Sequence, residues 1–285
     1  MKKFIWSLCV FLLFSSCNLL SSKNNNKELD EYALERELIQ ENTEKMKRIF
    51  FVLPSPMEIS SLIKTSGVLF QEELLNKTEN LPGYSTSPSR AIALGVYCAD
   101  LSYASLYEQY QLVMEYMNVS RNLAESLGIL KTVDPEKIRL LENNVMNKNL
   151  IVDVVSDIYL ESNDQLREQE RYSLAALMLI GAWVESMYLA TQSVQTSEKT
   201  HEELIKQILD QKLSLESIKT VLRDNQSDSM IKPIYLDVLQ LEKLFERSFK
   251  TINTKESDDY IENVDDLVFV ELVAKVEDMR DYLVY

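Results

Sequence analysis

The chain has 285 residues, 26% of them charged, and a formal net charge of −15. Phosphate neutralisation needs clustered Lys and Arg, so this acidic balance speaks against nucleic acid and anionic lipid headgroups as partners. One histidine and five glycines leave no material for a zinc site of Cys and His ligands, an axial-histidine haem, a histidine-rich active centre or a glycine-rich phosphate loop.

Met1, Lys2 and Lys3 precede an apolar run over 4–14 and the small residues Ser15 and Ser16, after which comes Cys17. A basic start, an apolar stretch of about ten residues and a small-residue cleavage site make a secretory leader. The run is too short to cross a bilayer, which takes roughly 20 residues. A thiol directly after such a site is a position for diacylglyceryl transfer, although Phe14 stands where the bacterial lipobox usually has leucine. Residues 1–16 therefore read as a signal peptide and Cys17 as the lipidated first residue. Acyl chains contribute about 0.8 kcal/mol per buried methylene, so two or three together anchor stably. The sequence NLLSSKNNNK, completing a segment over 17–27, reads as a flexible tether spanning about 17 Å. Removing Lys2 and Lys3 with the leader takes the charge from −15 to −17. Cys9 leaves too, so Cys98 is the last free thiol and no internal disulfide can form. Stability must come from a core, which 46% apolar residues can supply.

Residues 28–285 read as a single all-α domain: a multi-helix bundle of about eight to ten helices with no significant sheet, since glycine this scarce leaves little for β turns. A charged helical stretch covers 28–51, with Leu34, Leu38 and Met46 on a thin apolar face. Ser55 as N-cap and Pro56 at the first helical position open a short helix that Gly67 closes. The stretch 68–89, with Pro82, Gly83 and Pro88, is an irregular connection with about one helical turn. Ser87-Pro88 then opens the longest element, predicted to run to Leu127 and to stop at Gly128. Its first half, 91–107, is apolar nearly all round, which means burial on several sides. Asp134-Pro135 signals another helix start. Apolar spacing marks helices over 149–163 and 172–195. Thr200 with Glu203 reads as a capping box, and helices over 214–222, 230–249 and 264–285 complete the set. Ala91, Gly95, Tyr97, Asp100 and Tyr103 are faintly echoed by Leu177, Gly181, Trp183, Glu185 and Tyr188.

Asp100 and Glu185 draw the eye because each interrupts an apolar helix with a carboxylate, as in VYCADLSYASLY and IGAWVESMYLA. A buried carboxylate must change its pKa or find a partner. Tyr97, Tyr103 and Tyr107 lie at helical spacing from Asp100, and Tyr188 from Glu185. Asp100, Tyr103, Glu185 and Tyr188 are thus expected to form a hydroxyl–carboxylate network tying two core helices together. Gly95 and Ala99 on one helix, and Gly181, Ala182 and Ser186 on the other, would allow close approach. The competing reading is a polar spot that holds a ligand. Tyr97, Tyr103, Tyr107, Tyr110 and Tyr116 are read as core in preference to a groove lining. His201 is a first-turn helix residue, and Cys98 a buried small hydrophobe without a basic neighbour to make a thiolate.

The stretches LPSPMEISSLIKTSG (53–67), EELLN (72–76), ALGVYCADLSYASLY (93–107), LMLIGAWVESMYLATQ (177–192) and QKLSLESI (211–218) resemble uncharacterised lipoproteins of Bacteroidetes that share a helical ectodomain. The resemblance implies a location and a fold, and brings no functional residues with it. In that group, acidic residues after the lipidated cysteine favour surface export. Their lack over 18–22 implies an outer-membrane anchor facing the periplasm. The expectation is an envelope lipoprotein with a binding or scaffolding role, a possible protein partner there, no nucleic acid, and no catalytic, cofactor or metal residues. The alternative is a helix-bundle receptor for a small ligand with Asp100 or Glu185 in its pocket, and a third reading is a carboxylate-based enzyme.

Overall fold

The computed structural model describes residues 53–129, 147–195, 201–226, 228–252, 261–264 and 266–285, with positions 136, 139, 140, 143 and 144. The leader, Cys17, the tether, the stretch 28–51, Asp134-Pro135 and Thr200 lie outside the described residues. The described residues fall in a compact unit running from Arg48 to Tyr285.

The fold is all-α, with nine α-helices among the described residues. The first, α1 (Pro56–Thr65), starts with a complete capping box: Glu58 N–H donates to Ser55 Oγ, and Ser55 N–H to the Glu58 carboxylate. Gly67, at φ +84°, follows its end in the left-handed conformation that favours glycine. Two short 3₁₀ turns, Glu72–Leu74 and Thr78–Gly83, lie in the connection. Helix α2 (Ser87–Leu106) is capped by Thr86 and Ser89, one residue earlier than the Ser87-Pro88 pair suggests.

The predicted single helix over 87–127 is two helices. Glu108 takes φ +60°, its N–H donating to Ser105 O while Gln109 N–H reaches back to Ala104 O. This is a Schellman closure made without glycine. Lys64 from α1 assists by donating to the Leu106 carbonyl, an orphan at the helix end. Helix α3 (Tyr110–Ser126) then runs to the Gly128 stop. Helix α4 (Lys148–Glu168) is longer than its apolar pattern and closes in the same way, with Glu170 at φ +59°.

Helix α5 (Tyr172–Gln195) follows its predicted bounds. Helix α6 (Glu202–Asp210) has His201 at its N-cap, without a side-chain cap from it. Helices α7 (Lys212–Asp224), α8 (Ile231–Arg247) and α9 (Asp266–Val284) complete the set. A two-stranded antiparallel ribbon, β1 (Phe249–Ile252) with β2 (Ile261–Val264), pairs Phe249 with Val264 between α8 and α9 in sequence. It is too small to alter the class.

The core is built on α2 against α5, the most extensive helix pair. A Cβ at Gly95 would meet the backbone of Met178 and Ala182, and one at Gly181 the backbone of Ile92. Glycine at both positions is what lets the two backbones touch. Helices α1, α3, α4 and α9 pack around α2, and α1, α4, α6, α7 and α9 around α5. Helix α2, whose first half reads as apolar nearly all round, thus has neighbours on most sides, and so does α5. Helix α5 is long and apolar enough to cross a membrane, yet most of that window is buried inside the bundle.

Candidate functional site

The close crossing of α2 and α5 brings together the two carboxyl groups that the sequence singled out. Asp100 and Glu185 are both 0% exposed, and their side chains lie close enough for each to act on the charge of the other. Glu185 Oε2 accepts from Arg280 Nε at 3.2 Å, in an ion pair whose guanidinium side chain is only 7% exposed. Arg280 also lies 4.8 Å over the Tyr188 ring and 3.8 Å from Asp281, which is 57% exposed.

Asp100 Oδ2 accepts from the backbone N–H of Asn76 at 3.1 Å. Asn76 is itself buried and joined on every side. Its Nδ2 donates to Tyr84 Oη, its Oδ1 accepts from Asn80 Nδ2, and its carbonyl accepts from Tyr116 Oη. Tyr84 Oη donates in turn to the Val284 carbonyl at the end of α9, one of the acceptors a helix terminus leaves unpaired.

The tyrosines do not bind the carboxylates, which corrects the expected network. Tyr103 Oη accepts from Gln71 N–H, Tyr97 Oη donates to Lys77 O, and Tyr107 Oη donates to Val68 O. An irregular stretch carries backbone groups with no ladder to join. The hydroxyls of α2 and α3 supply those partners and pin the stretch over 68–77 to the bundle. Tyr188 meets Arg280 with its ring face, a cation–π contact.

Sequence reasoning missed Arg280 and Asn76. Arg280 had a legible signal: it falls on the apolar stripe of α9, four residues after Val276 and three before Leu283, where a cation needs a buried partner. Asn76 had none, because its role rests on its position in an irregular turn.

Electrostatics follows from burial. Burial first, and the Glu185 charge second, raise Asp100 well above the usual carboxylate range, with Arg280 and the Asn76 N–H opposing. Burial raises Glu185 as well, against the pull of Arg280. Burial works against the charge on Arg280, but Glu185 and Asp100 hold it protonated. Burial pushes the Cys98 thiol up to about 12, which removes the thiolate needed for nucleophilic chemistry. His201 is half-buried at the start of α6.

No known family, curated protein or solved structure matches the chain. Two carboxyl groups beside a guanidinium could move protons, but a catalytic acid or base must reach its substrate, and these have no exposed surface. A shallow apolar dimple between α1, α5 and α6, lined by residues such as Ile59, Leu62, Met187, Leu204 and Ile208, includes neither carboxylate. Among the described residues, no three His, Cys, Asp or Glu side chains gather as metal ligands do.

Proposed function

We propose that the chain is an envelope lipoprotein of the helical group it resembles, anchored by an acylated Cys17 in the outer membrane and facing the periplasm. Its bundle serves as a binding or scaffolding body for a protein partner, without catalytic work. The observation that carries this reading is the complete burial of Asp100 and Glu185. A receptor or enzyme needs an open cavity with converging polar groups, whereas these groups face Asn76, Arg280 and each other inside the bundle. What remains for recognition is the outer surface, where large apolar side chains such as Leu69, Leu213 and Leu267 stand about four-fifths exposed.

The test places photo-crosslinking residues at Leu69, Leu213 and Leu267 in the full chain within living cells. One discrete adduct with an envelope protein, formed from some of these positions and not from all, supports the scaffold. A small molecule that raises the thermal midpoint of the native chain but not of Glu185→Gln would replace it with the receptor alternative.

A further inference from the structure

We propose that Asp100 and Glu185 hold one proton between them, and that this proton, with Arg280, latches helix α9 onto the bundle. Two carboxyl groups and one guanidinium meet where bulk water does not reach. With both carboxyls ionised, the trio keeps a surplus negative charge that a dry interior does not tolerate. Asp100 Oδ1 and Glu185 Oε1 have no hydrogen-bond donor. Two carboxylates within hydrogen-bond reach repel, whereas one proton turns one into a donor and leaves the other an acceptor.

Among the described residues, the groups recorded around the trio other than Arg280 are neutral or negative. Tyr84 faces it from the connection before α2, Tyr97 from α2, Tyr116 from α3 and Tyr188 from α5, and burial keeps all four neutral. The buried Cys98 thiol is neutral too. Asp281 and Glu277 on α9 add only negative charge.

Helix α9 is tied to this pair at two points one turn apart. One tie runs from Asp100 through Glu185 to Arg280. The other runs from Asp100 through Asn76 and Tyr84 to the Val284 carbonyl. Docking of α9 takes one H⁺ from solvent and forms one O–H bond; undocking returns it. With α9 displaced, water reaches the pair and Asp100 falls back towards its ordinary value of about 3.9. Its docked value is raised, so the latch is fully closed below the ordinary value and loosens as pH climbs towards the raised one. Over that window one linked proton shifts the opening equilibrium about tenfold per pH unit.

The experiment uses the full chain purified in detergent, with infrared spectroscopy and amide exchange along α9. At neutral pH the native protein should show the carbonyl stretch of a protonated carboxylic acid. That band should vanish in both Asp100→Asn and Glu185→Gln, since either leaves one carboxyl group for one guanidinium. Opening of α9, corrected for intrinsic exchange, should rise about tenfold per pH unit in the native protein and stay level in Asp100→Asn. In that variant the amide donates to Glu185 and its carbonyl still accepts from Asn76. No protonated-acid band in the native protein, a band that survives both substitutions, or equal pH dependence in native protein and Asp100→Asn overturns the latch. Should Asp100→Asn fail to fold, the native spectrum and Glu185→Gln decide.

Discussion

Arg280 carries the largest single-residue expectation. Removing it in Arg280→Ala leaves the fully buried Asp100–Glu185 pair without its cation, or forces the pair to take a further proton. Breaking a buried pair from one side costs about 3–5 kcal/mol, so the urea midpoint should fall sharply. A loss no larger than that of an exposed pair such as Arg247 with Glu271 would mean that water reaches the site. Tyr188 gives a finer test, because its contribution lies in the ring face over the guanidinium. Tyr188→Phe should be nearly silent, whereas Tyr188→Leu should lose a cation–π contact worth about 0.5–2 kcal/mol; equal losses in both would assign the effect to the hydroxyl. At this scale the sequence was half legible. A carboxylate inside an apolar helix announces a buried acid wherever it occurs, so Asp100 and Glu185 stood out. Their partners did not, because helical spacing locates neighbours on the same helix only. Tyr103 sits at the right interval from Asp100, but its hydroxyl binds Gln71, and Arg280 comes from 95 residues beyond Glu185.

Among the elements, the helix stops marked by Gly67 and Gly128 fell where expected, and the helix break that the sequence missed, after Leu106, had no such signal. Gly67 and Gly128 mark their ends because glycine adopts positive φ without strain. Glu108 and Glu170 do the same work with a side chain for which left-handed backbone costs roughly 1–2 kcal/mol, so the break between α2 and α3 was hidden in an uninterrupted helical pattern. Glycine at these positions relieves that strain and gives back part of the gain as extra freedom in the unfolded chain. Glu170→Gly should therefore raise stability by up to about 1 kcal/mol, read as a higher thermal midpoint. A clear loss would show that the Glu170 side chain contributes more than the strain costs. The opposite sign is expected at the crossing of α2 and α5. In Gly181→Ala the new methyl group meets the Ile92 backbone, which cannot rotate away as a side chain can, so the loss should reach the upper part of the 1–3 kcal/mol typical of overpacking.

For the whole molecule, the proposed lipid anchor sets the question of whether α5 also enters the bilayer. Helix α5 passes the length and composition test for a bilayer span, but its faces are occupied by α1, α2, α4, α6, α7 and α9. Placing it in lipid would strip those partners away and carry Glu185 into hydrocarbon without Arg280, at a cost of several kcal/mol. The all-α class was legible because scarce glycine and helical spacing agreed along the chain. Gly181 and Glu185 suit a packed crossing better than a lipid-facing surface. Membrane attachment is accordingly expected to reside in Cys17 alone. Cys17→Ala should abolish incorporation of labelled fatty acid. A chain starting at Lys27 and made without the leader should remain in the supernatant on ultracentrifugation in the absence of detergent, with a helix-dominated circular dichroism spectrum. If that truncated chain instead co-sediments with added vesicles and resists alkaline extraction, α5 leaves the bundle to enter lipid. Labelling that persists in Cys17→Ala would move the anchor elsewhere in the chain. Both outcomes together would replace a tethered, sealed body with one that opens onto the membrane.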